Sequence, residues 1–347
     1  MKIAFASCSN VMWQKYNQPI WGIINGQKPD LLLLLGDNIY MSEQGDNGLF
    51  NEENLEKHYQ MQLAEWHFSK LLCETPYLAI WDNHDFGRND VTNPEHKLTN
   101  LQKRKSRALF DKYLKKGSLR PNSQYVYCSY NYTKNGENVR IIMLDVRSFQ
   151  ENPDLGNNPS ATLLGTKQED WLLEEMRTST GITIICSGFA YSVGDSMNWT
   201  LHKTWSDRFM EALVHTSKPI FLAGNNHTNE FIVHELEEDP ITSFPLAASS
   251  LMLDSLSGIG PEGGILRKKK YFYEAISSSV GRNHQSDEVD NKTYANRPQN
   301  KYGIVNITEE EVEIVLYSQM PEKFYHRVIE VDTWKLKKEN RLIDLTV

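Results

Sequence analysis

Four short clusters of residues that bind metals or move protons each close an apolar run: Ser7-Cys8 after KIAFA, Gly36-Asp37 with Tyr40 after LLLLL, Asp82-Asn83-His84-Asp85 after YLAIW, and Asn225-Asn226-His227 after PIFLAG. A single buried Cys or His is more often a satisfied core residue than a ligand. Four such clusters at corresponding strand ends point instead to a site. Cys thiolate, Asp carboxylate and Tyr phenolate are three anions, and His imidazole is neutral. Together Cys8, Asp37, Tyr40 and His227 would balance a trivalent iron, and phenolate is a hard ligand suited to Fe(III). The second oxygen of Asp37 can bridge to a neighbouring metal, to which Asn83 offers a neutral carbonyl. Such a pair polarises a phosphoryl oxygen and generates hydroxide near neutral pH. His84 is placed to protonate a leaving alkoxide, and Asp85 to orient that imidazole.

The elements that must position these groups follow from the pattern. Five consecutive leucines at Leu31–Leu35 show no alternation, so both faces of that strand should be buried, as in a sheet covered on both sides. A carboxylate just past its end sits where open α/β sheets place ligands. Strands are also expected at 2–7, 77–81, 124–132, 139–145, 182–186, 219–223 and 231–236. Helices are expected at 13–26, interrupted at Pro19, and at 51–72, 94–116, 166–177 and 201–214. In 51–72, Leu55, Tyr59, Leu63 and Trp66 share a face, and Asn51 is the expected cap. The outer face of 94–116 carries Lys103, Arg104, Lys105 and Arg107; it reads as a solvated helix face, with an anionic substrate as the alternative.

From 237 to 300 the periodicity dissolves, with Pro240, Pro245, Gly258, Gly260, Gly263 and Gly264 as punctuation and a basic run at 267–270. A stretch this long without elements is expected to be a loop-rich excursion near the site mouth. A closing hairpin is expected at 302–317, and 328–347 shows no assignable pattern.

The 347 residues are expected to form a single domain, and they are enough for a sizeable core. A net charge of −8 argues against nucleic-acid binding as the main business. No run approaches the length of a membrane span. The N-terminal MKIAFASCSN is too short for a signal h-region. Cys8, Cys73, Cys128 and Cys186 show no CxxC spacing. With no export signal read, they are expected to be reduced thiols in the cytoplasm, with a non-classical secretion route as the alternative.

GDNIY, WDNHD and GNNH, in this order, resemble the GD-x-x-Y, GNH-D/E and GH-x-H signatures of calcineurin-like metallophosphoesterases. The fuller set is similar to the PhoD-like (alkaline phosphatase D) family: SCSN at 7–10, GDNIY at 36–40, WDNHDFGRND at 81–90, LDVRSF at 144–149 and LLGTKQEDWL at 163–172. The resemblance covers about residues 1–235 and the YGIVNI strand. It implies a four-layer α/β/β/α sandwich, two mixed sheets flanked by helices, and hydrolysis of phosphate mono- or diesters. It also implies iron held by Cys8, Asp37, Tyr40 and His227, and a second divalent metal, calcium first and otherwise Mn, Mg or Zn. Asn83 aligns with a ligand of that second metal and His84 with the catalytic histidine. Arg147 matches the family arginine, placed near the phosphate; the alternative for it is an ion pair with a loop carboxylate. Asn225 departs from the family aspartate of GD-x-H and removes an anion from the second site. The expected partner is a small phosphorylated substrate. A second reading is a catalytically weakened member that binds a phosphorylated ligand or a protein partner through 237–300.

Overall fold

The computed structural model describes residues 1–12, 15–41, 50–87, 97–115, 117–153, 158, 160–194, 197–236, 270–278, 300–318 and 325–337. Residues 42–49, Pro94 and most of 237–300 lie outside these.

Two sheets carry the fold. In the first, β1 (Lys2–Ala6), β2 (Leu31–Leu35) and β3 (Tyr77–Ile80) run parallel. Beyond β1 the sheet continues antiparallel through β10 (Lys301–Ile307), β11 (Glu311–Ser318), β12 (Tyr325–Glu330) and β13 (Lys335–Leu336). The second sheet has the order β4 (Cys128–Lys134), β5 (Glu137–Met143), β6 (Ile182–Ser187), β7 (Pro219–Ala223), β9 (Lys270–Ser277), β8 (Asn229–Leu236). Here β5, β6, β7 and β9 are parallel, and β4 and β8 close the edges antiparallel.

The second sheet sorts its residues by face. Ile141, Ile184, Leu222 and Tyr273 join the core shared with the first sheet; Ile142, Ile185, Phe221 and Phe272 pack in a separate cluster with Leu172, Met176, Phe209 and Leu213. The latter four lie on α5 (Thr166–Thr178) and α6 (Lys203–His215). The first sheet is covered by α1 (Pro19–Gly26), α2 (Glu52–Ala64) and α3 (Trp66–Glu74), with α4 (Asn100–Phe110) against α2. Two mixed sheets packed face to face between helices are the layers expected. All five leucines of β2 are buried, as their lack of alternation requires.

Four expectations change. Pro19 does not interrupt a helix but starts one: it occupies the first turn, where its missing N–H costs nothing. The 51–72 helix breaks at Glu65, whose extended backbone (ψ 120°) ends α2 while its carboxylate caps Phe68 N at 2.7 Å to begin α3. The described part of the 94–116 helix begins only at Asn100, where Thr99 and Gln102 form a capping box. The loop-rich 237–300 stretch holds β9, which lies between β7 and β8. Among the described residues no helix is long and apolar enough to cross a membrane.

Candidate metal centre

The parallel strands β1, β2, β3, β5, β6, β7 and β9 deliver their carboxyl ends to one edge. The ladder between β1 and β2 runs past the strands: Cys8 N donates to Gly36 O at 3.2 Å and Ser9 N to Asp37 O at 2.7 Å. At Gly36 the chain turns with φ +92°, and a Cβ there would stand 2.6 Å from Asp82 Cβ. Glycine is therefore needed for both the turn and the close approach. A Cβ on Gly224 would stand 2.6 Å from Ser7 Oγ and 2.9 Å from Leu35 O, so this glycine lets the end of β7 reach the ends of β1 and β2.

Cys8 (φ 59°), Asp37 (49°), Asn225 (60°) and His227 (57°) all adopt left-handed backbone conformations. Non-glycine residues pay for this conformation in strain, and such strain gathers at functional sites. The side chains of Cys8, Asp37 and His227 converge with that of Tyr40. Cys8 Sγ lies 3.7 Å from Asp37 Oδ2. Tyr40 also hydrogen-bonds the Cys8 thiol, and its Oη stands 2.8 Å from His227 Nε2. The other Asp37 oxygen accepts from the backbone N–H of His84 at 3.0 Å. The His84 ring rests on Tyr40, centroids 3.8 Å apart. Asn83 is buried beside His84, and Asn225 is half-buried at the end of β7.

Asp85 is fully buried. Its carboxylate accepts from Asn38 N, Asn38 Nδ2 and Asp82 N at 3.0–3.1 Å, and so ties the loop after β2 to the loop after β3. Arg147 takes the alternative reading, an ion pair. Its Nε donates to Asp82 Oδ1, its guanidinium lies 4.9 Å from the Phe189 ring centroid, and its side chain is 0% exposed. Asp145, two residues earlier, accepts from Trp81 Nε1 at 2.7 Å and from Arg147 N at 3.1 Å, which fixes the Arg147 turn.

The structure gives Asp82 a partner in Arg147 and adds two residues that lie in none of the four clusters. Ser278, just past β9, donates to Cys8 Sγ at 3.0 Å and accepts from His227 N at 3.1 Å. Lys301, at the start of β10, donates to His227 O at 2.7 Å. The register of β1 with β10 pairs Phe5 with Gly303, which carries Lys301 to the level of Ser7. Neither Ser278 nor Lys301 lies in a motif, so no local signal was available.

The electrostatics are those of a place that wants cations. Burial is the main cause that pushes the Cys8 thiol and the Asp37, Asp82 and Asp85 carboxyls up, Asp85 to about 7. Asp82 and Asp85 raise Asp37 further, whereas Arg147 lowers it. Asp82 Oδ2 is buried with no hydrogen-bond partner. Burial also pulls Lys301 down to about 8. Among the described residues no group of three His, Cys, Asp or Glu side chains is arranged to hold a metal by itself. The fit is therefore one of donor chemistry: a thiol, a carboxylate, a phenol and an imidazole among buried, under-compensated acids.

Residues 3–314 match the PhoD-like phosphatase family. Alkaline phosphatase D from Bacillus subtilis (strain 168) is 26% identical over 211 residues, 52% of this chain and 35% of that protein, so the chain spans about a third of the length of this curated relative. A solved structure of PhoD superposes on 100% of this chain and 72% of its own, with a TM-score of 0.71 at 16% identity. A dimetal phosphatase from Danio rerio aligns with 94% of this chain and 98% of its own, TM-score 0.53 at 10% identity; at such identities the likeness is one of fold. With the family match running from β1 into β11, the chain belongs to the PhoD-like phosphatase family.

Proposed function

We propose that this chain is a metal-dependent phosphoesterase that hydrolyses phosphate mono- or diesters of small molecules. The observation that carries the reading is the convergence of Cys8, Asp37, Tyr40 and His227 from strand ends of two different sheets, with left-handed turns at Cys8, Asp37 and His227. Cys8, Asp37, Tyr40 and His227 would hold a trivalent iron, and Asp37, Asn83 and Asn225 a second, divalent metal, calcium first. When bound, such a pair polarises the phosphoryl oxygen and lowers the pKa of water. The PhoD and dimetal phosphatase neighbours support this chemistry.

The chain's own residues do the rest. His84 delivers its imidazole proton to the leaving oxygen as the phosphorus–oxygen bond breaks, and water supplies the oxygen that replaces it. The Tyr40 ring sets the plane of His84, and Asp37 fixes the His84 backbone. Asp85 locks the loops that carry Asp37 and His84 in register. Arg147 acts through Asp82: the pair holds the WDNHD turn against the loop after β5. The whole chain works as one catalytic unit, and the cytoplasmic address belongs to the same reading.

Asn225 favours a second reading, a weakened member that retains a phosphorylated ligand without turning it over, because it supplies a neutral amide where an anion is expected. Turnover of p-nitrophenyl phosphate and bis-p-nitrophenyl phosphate, with and without added iron and calcium, separates the two. Metal-stimulated turnover of either ester supports the enzyme; binding of phosphate esters without turnover under every metal condition supports the binder.

A further inference from the structure

We propose that Ser278 and Lys301 form a clamp that fixes Cys8 and His227 as a pair before any metal arrives, and that this clamp sets the affinity of the first metal position. The proposal rests on the metal reading above. It concerns two residues outside the family motifs, Ser278 just past β9 and Lys301 at the start of β10.

His227 sits at φ 57°, a conformation that an L-residue keeps only when its surroundings hold it. Both of its backbone groups are held from outside its own loop. Its N–H donates to Ser278 Oγ at 3.1 Å, and its C=O accepts from Lys301 Nζ at 2.7 Å. Ser278 does more than accept. Its one proton goes to Cys8 Sγ at 3.0 Å, so a single hydroxyl joins the sulfur of one ligand to the backbone of another. Ser278 is fully buried and Lys301 is 6% exposed.

The clamp crosses the molecule. Cys8 and Lys301 belong to the ends of β1 and β10 in the first sheet, and His227 and Ser278 to the ends of β7 and β9 in the second. A cation between the sheets therefore meets a donor pair whose separation is already set from both sides. Burying an ammonium is costly. Here the ammonium reaches a carbonyl next to the site, with the Cys8 thiol and the Glu230 carboxyl as its electrostatic neighbours. Groups that orient metal ligands from behind typically change affinity 10–100-fold when removed.

Co(II) is the probe, because its thiolate charge-transfer band reports on Cys8. The measurement is the cobalt dissociation constant by chelator competition, for the full chain and for Cys8→Ala, Ser278→Ala, Ser278→Thr, Lys301→Met and the Ser278→Ala/Lys301→Met double variant. Circular dichroism of each metal-free form controls for folding. Ser278→Ala and Lys301→Met should each weaken binding about 10-fold or more, and Ser278→Thr should retain it. The double variant should lose less than the product of the singles, because both act on His227. Cobalt binding by Ser278→Ala and Lys301→Met equal to that of the unmodified chain, with Cys8→Ala weakened, would overturn the clamp and leave the metal assignment standing. Equal binding by Cys8→Ala and absence of the thiolate band would overturn the metal assignment itself. Where Ser278→Ala does not fold, the Lys301→Met arm decides alone.

Discussion

Tyr40 Oη and His227 Nε2 stand 2.8 Å apart although Tyr40 follows β2 in one sheet and His227 follows β7 in the other. This contact marks the line on which the two sheets bring their donors together. It also places a phenol and an imidazole within reach of one cation beside Cys8 and Asp37.

A phenolate on Fe(III) gives a visible charge-transfer band. The iron-loaded protein should therefore be coloured, and Tyr40→Phe should bleach it with the iron retained. Absorption spectra with iron analysis on the same samples check this. A colourless protein with stoichiometric Fe(III) would remove Tyr40 from the ligand set.

His84→Ala should cost about 10²–10⁴-fold in turnover of an ester with a poor leaving group. On p-nitrophenyl esters, whose leaving oxygen needs little protonation, the loss should be much smaller. Steady-state kinetics on both substrates decide. Equal losses would assign His84 to holding the phosphate or the loop.

The buried Arg147–Asp82 pair predicts an asymmetry in stability. Arg147→Met leaves the Asp82 carboxylate buried without its cation, next to Asp37, and should destabilise by about 3–5 kcal/mol. Adding Asp82→Asn should recover a large part of that loss. Denaturant unfolding of the single and double variants measures the coupling. Additive losses would show that the two side chains stabilise the turn independently.

Asp85 gives the pH dependence of the metal-free protein. Its folded carboxyl is raised from the ordinary 3.8 to about 7, chiefly by burial. The folded state therefore holds a proton that the unfolded state has released, and stability falls as pH rises between those two values, by up to about 1.4 kcal/mol per pH unit for each such group. Asp37 and Asp82 are raised as well and add to the same slope. Asp85→Asn should flatten the fall, and so should bound metal. Thermal or urea unfolding of the metal-free chain from pH 4 to 8 is the test; stability that climbs with pH through this window would contradict the shifts.

Asn225→Asp changes almost no volume and restores one anion to the second position. On the proposed ligand set a second metal would share Asp37 and otherwise meet neutral amides, so it should bind weakly, and activity should rise with added divalent cation. The aspartate variant should reach the same plateau at lower metal. Superimposable curves of activity against free metal would place Asn225 outside the coordination sphere.

The sequence alone determined where donors leave the strands. Cys8, Asp37, His84 and His227 follow runs whose apolar residues leave no solvent face, and chemistry at the end of such a strand is written in contiguous residues. The family motifs have the same local character. Only the tertiary structure decided which groups meet. The glycines at 36 and 224 were visible, but not that they admit Asp82 and Ser7 at contact distance. Arg147 was legible as a residue but not as the partner of Asp82, because the pair joins the loops after β3 and β5. β9 was hidden for a physical reason: a buried Glu274 stands mid-strand and breaks the apolar pattern. In the fold that charge is satisfied by Tyr191 N at 2.6 Å, Ser192 Oγ at 2.6 Å and His234 Nε2 at 3.0 Å, all from other elements. Ser278 follows directly on that strand, and Lys301 depends on the β1–β10 register; both positions are properties of strand pairing across long stretches of chain, which no local pattern encodes.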